Sequence, residues 1–152
     1  MAIKLPAQTF VALAAVAWAD GSVRPSEAKA LVDAAQKLGL EGDDLGTVEK
    51  STKARVALDT FEPGEMSVWD RVLTYALASW LARIDGVQST SESDVLRLLG
   101  ERLGLADGLR QRAAGAAMDI AVLPEGGKPD RYDFVKLAAR LRERMPQLPA
   151  EG

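Results

Sequence analysis

Two stretches of this chain follow one plan at a spacing of 65 residues, and that repetition constrains the fold more than any other feature. Residues 20–40 laid against 85–105 pair eight identities in 21 positions: Asp20/Asp85, Gly21/Gly86, Ser26/Ser91, Glu27/Glu92, Leu31/Leu96, Leu38/Leu103, Gly39/Gly104 and Leu40/Leu105. A repeat has to be found before any other fold assignment, because each copy must bury its apolar face against its neighbour.

Each copy has the punctuation of two helices joined by a corner. An uncharged segment comes first, residues 10–19 in one copy and 72–82 in the other, and a helix apolar on most faces is a buried one. Both segments run into Asp-Gly, where glycine readily takes the left-handed conformation that ends a helix. The next helix opens with Pro25 and Glu27 in the first copy and with the capping box Ser89-Thr90-Ser91-Glu92 in the second, both N-terminal signals. It closes on Lys37-Leu38-Gly39-Leu40 and Arg102-Leu103-Gly104-Leu105: a cation at the negative helix end, glycine as the stop, and leucine folding back.

The remaining chain reads as further helices. Residues 44–58 form a weaker one, interrupted by Gly46, before the turn Phe61-Glu62-Pro63-Gly64. Ser67 caps the helix carrying residues 72–82, and residues 109–122 form an Ala-rich helix. Pro124-Glu125-Gly126-Gly127-Lys128-Pro129 breaks it, and Asp130 caps a last helix whose Phe134, Leu137, Ala138, Leu141 and Met145 have core spacing. The expectation is an all-α compact bundle of about seven helices with an internal duplication of a helix-turn-helix unit. One domain spans residues 1–146, with units at about 9–40 and 74–105, and 147–152 form a flexible tail. Ala and Leu dominate an apolar share of 47%, as helix formers should.

Composition then limits the chemistry. The chain has no Cys and no His, which excludes thiolate metal sites, Cys nucleophiles and every triad that uses imidazole. A net charge of -3 does not make nucleic acid an expected partner. Residues 128–144 nevertheless hold six basic against three acidic side chains, and Lys136, Arg140 and Arg144 at four-residue spacing read most simply as a solvated face. Trp18, Trp69 and Trp80 read as core, and Asp59, Glu62 and Glu65 as a solvated loop. Residues 1–19 also have the outline of a signal peptide ending in Ala17-Trp18-Ala19. Their counterpart in the second copy favours a core helix, and with it a cytoplasmic protein.

Asp-Gly-x-Val-x-x-x-Glu matches the second half of an EF-hand loop, whose last Glu is bidentate. The first half is missing, because Val16 and Trp18, and Leu81 and Arg83, stand where carboxylates belong. The corners resemble more closely those of the TerB family of tellurite-resistance proteins, on Ala19-Asp20-Gly21-Ser22-Val23-Arg24-Pro25-Ser26-Glu27 and the looser Ile84-Asp85-Gly86-Val87-Gln88-Ser89-Thr90-Ser91-Glu92. The resemblance covers about residues 9–105. Many members carry another acid just after Asp-Gly, where this chain has Ser22 and Val87.

That resemblance implies a helical bundle whose acidic corners chelate a divalent cation, in proteins tied to stress responses and to membrane-associated complexes. A related domain looks like the N-terminal part of some membrane-bound DnaJ co-chaperones. The residues carried over are Asp20, Glu27, Asp85 and Glu92. With oxygen ligands alone the ion would be hard: Ca²⁺, Mg²⁺ or Mn²⁺ before Zn²⁺. Two readings stay open. In one the chain is a non-enzymatic metal-binding or sensing domain; in the other it is a helical module for a protein partner, with the corners serving only as helix stops and caps. A homodimer is compatible with both.

Overall fold

A computed structural model of the chain describes residues 7–18, 25–37, 39–53, 67–81, 90–121 and 134–144. All the regular structure among them is helical: α1 (Ala7–Ala17), α2 (Pro25–Lys37), α3 (Gly42–Lys53), α4 (Val68–Leu81), α5 (Thr90–Arg102), α6 (Asp107–Ala121) and α7 (Phe134–Arg144). The seven form the compact all-α bundle that the punctuation predicts.

The uncharged helices are the centre of it. Thr9, Phe10, Leu13 and Val16 of α1 are buried, as are Trp69, Val72, Leu73, Thr74, Leu77 and Trp80 of α4. These two helices pack on each other, α2 and α3 lie against α1, α5 and α6 lie against α4, and α5 also reaches α1. Phe10 and residues 12–16, part of the segment that resembles a secretory signal, are thus a wall of the core. No described helix is long and apolar enough to cross a membrane.

The amphipathic helices around this pair end where glycine stops them. At the end of α2 the Leu40 amide donates to the Ala35 carbonyl at 3.0 Å and the Gly39 amide to that of Gln36 at 3.2 Å. At the end of α5, Leu105 donates to Gly100 and Gly104 to Glu101, both at 3.0 Å. Each pair of bonds is a Schellman motif, which satisfies the last carbonyls only if the stop residue is left-handed. Gly39 and Gly104 have φ of 95° and 71°. The boundaries also keep step: α2 and α5 run over 25–37 and 90–102, and α3 and α6 begin at 42 and 107.

Two helices depart from the sequence reading. The third helix begins at Gly42 rather than at 44 and passes through Gly46 without interruption. An interior glycine costs only about 1 kcal/mol relative to alanine, and burial of Val48 and Ser51 outweighs that. Its expected end, at residue 58, lies outside the described residues. The sixth helix starts at Asp107, two residues ahead of the expected start. Ser67 does cap α4, accepting the Asp70 amide at 3.1 Å on its hydroxyl.

Candidate functional site

The acidic corners fall at the edge of what is described. Asp20, Gly21, Asp85 and Gly86 lie outside the described residues, together with the capping Ser89, Asp130, the turn at 61–64, the acids Asp59, Glu62 and Glu65, and the tail. Glu27 and Glu92 are each the third residue of a helix, α2 and α5; the placement of their side chains also lies outside the description. Among the described residues no group of three or more metal-ligating side chains comes together.

Between the corners' helices lies a feature that the apolar pattern conceals. The hydroxyls of Thr9 on α1 and Thr74 on α4 hydrogen-bond to each other at 2.8 Å, fully buried, across a separation of 65 residues. That separation equals the offset at which residues 20–40 align with 85–105. The signal was available: carrying the alignment back from Asp20/Asp85 pairs Thr9 with Thr74.

A second assembly, absent from the sequence reading, gathers where α7 docks. Leu137, Ala138 and Leu141 are buried, and α7 lies on α6. The Arg142 guanidinium sits 4.1 Å from the centroid of the Trp69 ring at the start of α4, a separation at which the ring quadrupole attracts a cation. Arg144 sends Nε and Nη2 to one oxygen of Asp119, Oδ2, at 3.1 and 2.7 Å. Arg140 Nε stands 3.7 Å from that oxygen, and its Nη1 is 3.0 Å from Glu143. Lys136, Arg140 and Arg144 are all exposed, as a solvated face requires, and two of the three cations also reach a carboxylate of α6. Four-residue spacing drifts around a helix of 3.6 residues per turn, which turns the row's C-terminal end toward α6.

Glycines make room for these guanidiniums. A Cβ at Gly115 would meet Arg144 Nη1 at 3.3 Å, and one at Gly100 would overlap Arg110 Cδ. At Gly104 a Cβ would touch Arg71 Nη1 at 3.6 Å, the atom that donates to the Leu103 carbonyl at 3.1 Å. Arg110 bridges α6 to α5, donating to the Arg97 carbonyl at 3.3 Å and pairing with Asp107. Burial pushes the Tyr75 phenol above its ordinary value, and the charge of Arg110 draws it partly back. A glycine inside a helix is a packing signal, and Gly100 and Gly115 were visible as such in the sequence.

No family model, curated protein or solved structure matches the chain. The likeness to TerB proteins accordingly rests on the two Asp-Gly corners themselves.

Proposed function

We propose that the chain is a non-enzymatic domain, built by duplication of a helix-turn-helix unit, that binds or senses a hard divalent cation through Asp20, Glu27, Asp85 and Glu92. The supporting observation is the constant spacing of 65, met in the Thr9–Thr74 pair and in the bounds of α2 and α5. It supports reading the two Asp-Gly-x5-Glu corners as like positions of two like units. Capping accounts for each corner residue singly but not for the recurrence of aspartate before glycine. The TerB resemblance extends the reading to tellurite or stress resistance, in the cytoplasm and with protein partners in a membrane-associated complex.

Calorimetry and thermal melting with Ca²⁺, Mg²⁺, Mn²⁺ and Zn²⁺ test it. A ligand at a hundred times its Kd adds about 2.7 kcal/mol, which raises the melting temperature of a domain this size by roughly 5–10 °C. The rise should vanish in Asp20→Ala/Asp85→Ala. Absence of heat and of any shift with all four ions would end the cation reading.

A further inference from the structure

We propose that the chain associates head to tail, the acidic corner between α2 and α3 of one copy docking on the basic corner between α5 and α6 of a second copy. The inference goes beyond the cation reading and does not depend on it.

The two corners are built alike and charged oppositely. Both turn on a Schellman motif with a left-handed glycine at the stop, Gly39 or Gly104, and the next helix begins at Gly42 in one and at Asp107 in the other. Residues 32–47 hold four acids, Asp33, Glu41, Asp43 and Asp44, against the single cation Lys37. Residues 97–112 hold four arginines, Arg97, Arg102, Arg110 and Arg112, against Glu101 and Asp107. At the offset of 65 the four acids align in turn with the uncharged Leu98, Ala106, Gly108 and Leu109, and three of the arginines stand where the first corner has Val32, Leu45 and Thr47. One backbone plan thus presents two surfaces of opposite sign.

These charges lie at the surface. Glu41, Asp43 and Asp44 are exposed at the start of α3, and Arg97, Arg102 and Arg112 are exposed on α5 and α6. Within the second corner Arg97 pairs with Glu101 at 3.3 Å and Arg110 with Asp107. Both acids are therefore matched inside the corner, and its sum stays positive.

The place of the corners in the bundle sets the form of the contact. α2 and α3 lie against α1, while α5 and α6 lie against α4, so one copy offers its two corners to two different neighbours. A contact between unlike patches of identical chains is heterologous and closes into a ring or grows into a filament. Like corners repel, which opposes a two-fold pairing of acidic with acidic or basic with basic. Exposed ion pairs are individually weak, so the association needs several of them and low ionic strength.

Sedimentation of the full chain up to millimolar concentration tests the contact, with EDTA present so that no divalent cation contributes. At about 0.01 M salt, where charges act over about 30 Å, the mean mass should rise with concentration; at about 1 M, where they act over about 3 Å, the protein should sediment as a monomer. Asp43→Lys/Asp44→Lys and Arg97→Glu/Arg112→Glu, each reversing one corner, should both remain monomeric at low salt. An equimolar mixture of the two should associate again, since the intact basic corner of the first variant meets the intact acidic corner of the second. Lysine opposes the dipole at the start of α3; Asp43→Asn/Asp44→Asn avoids that strain and should weaken association severalfold, as should Arg97→Gln/Arg112→Gln. Thermal melting confirms that each variant is folded. A wild type that stays monomeric at low salt overturns the proposal. Association that survives both reversals, or that persists at 1 M salt, also overturns it by placing the contact on another surface, as does a mixture of folded variants that fails to associate.

Discussion

Thr9 and Thr74 share one hydrogen bond, 2.8 Å long, at the contact of the two most apolar helices of the bundle. Neither hydroxyl is exposed to water, and each is satisfied by the other. Such a pair fixes which turn of α1 meets which turn of α4, because sliding by one turn would bury two unpaired hydroxyls against aliphatic neighbours.

Removal of one partner should therefore cost more than removal of both. Thr9→Val or Thr74→Val alone should destabilise the fold by about 1–3 kcal/mol, while the double variant should recover most of the loss. Urea unfolding of the four proteins in a double-mutant cycle gives the coupling directly. Additive losses would show that each hydroxyl is satisfied within its own helix.

Glycine-to-alanine exchange should have opposite signs at two helical positions. At Gly46 nothing lies within 4 Å of the new methyl group, so the alanine should stabilise by about 0.5–1 kcal/mol through helix propensity and a less flexible unfolded chain. At Gly100 the methyl group overlaps the aliphatic stem of Arg110, and the displacement should cost about 1–3 kcal/mol despite the better propensity. Thermal melting of the two variants separates the cases.

Tyr75 should ionise above the ordinary tyrosine value of about 10. The unfolded chain then loses the phenolic proton first, so the stability associated with Tyr75 is intact below about pH 10 and declines as pH rises toward the folded-state value. Arg110→Gln removes the charge that moderates the shift and should move the titration higher still. Ultraviolet difference titration in a Tyr132→Phe background isolates the signal; a lower value in Arg110→Gln would contradict the assignment.

Much of the fold was legible because local rules carried it. Gly39 and Gly104 end their helices through bonds made within a few residues, and Ser67 caps α4 through a bond three residues on. The course of α3 through Gly46 was not legible, since burial of Val48 and Ser51 decides it and burial depends on distant helices. For the same reason the partner of the exposed Arg144 was not legible: Asp119 lies 25 residues earlier in the chain, and only the packing of α7 brings them together. The corner residues were chosen from repetition and resemblance, and Glu27 and Glu92 do fall in the first turn of their helices, as the capping pattern requires.

The arginines that lie across glycines have one more consequence. Guanidinium stays charged throughout the physiological range, and the chain has neither imidazole nor thiol. Mild acidification leaves the braces at Gly100, Gly104 and Gly115 in place. Peroxide finds no sulfur in the chain but that of four methionines, one of them Met118, which sits half-covered on α6 one residue before the carboxylate that holds Arg144. A protein fastened in this way has no imidazole or thiol among its latches, the two groups through which changes of acidity and oxidant loosen other folds.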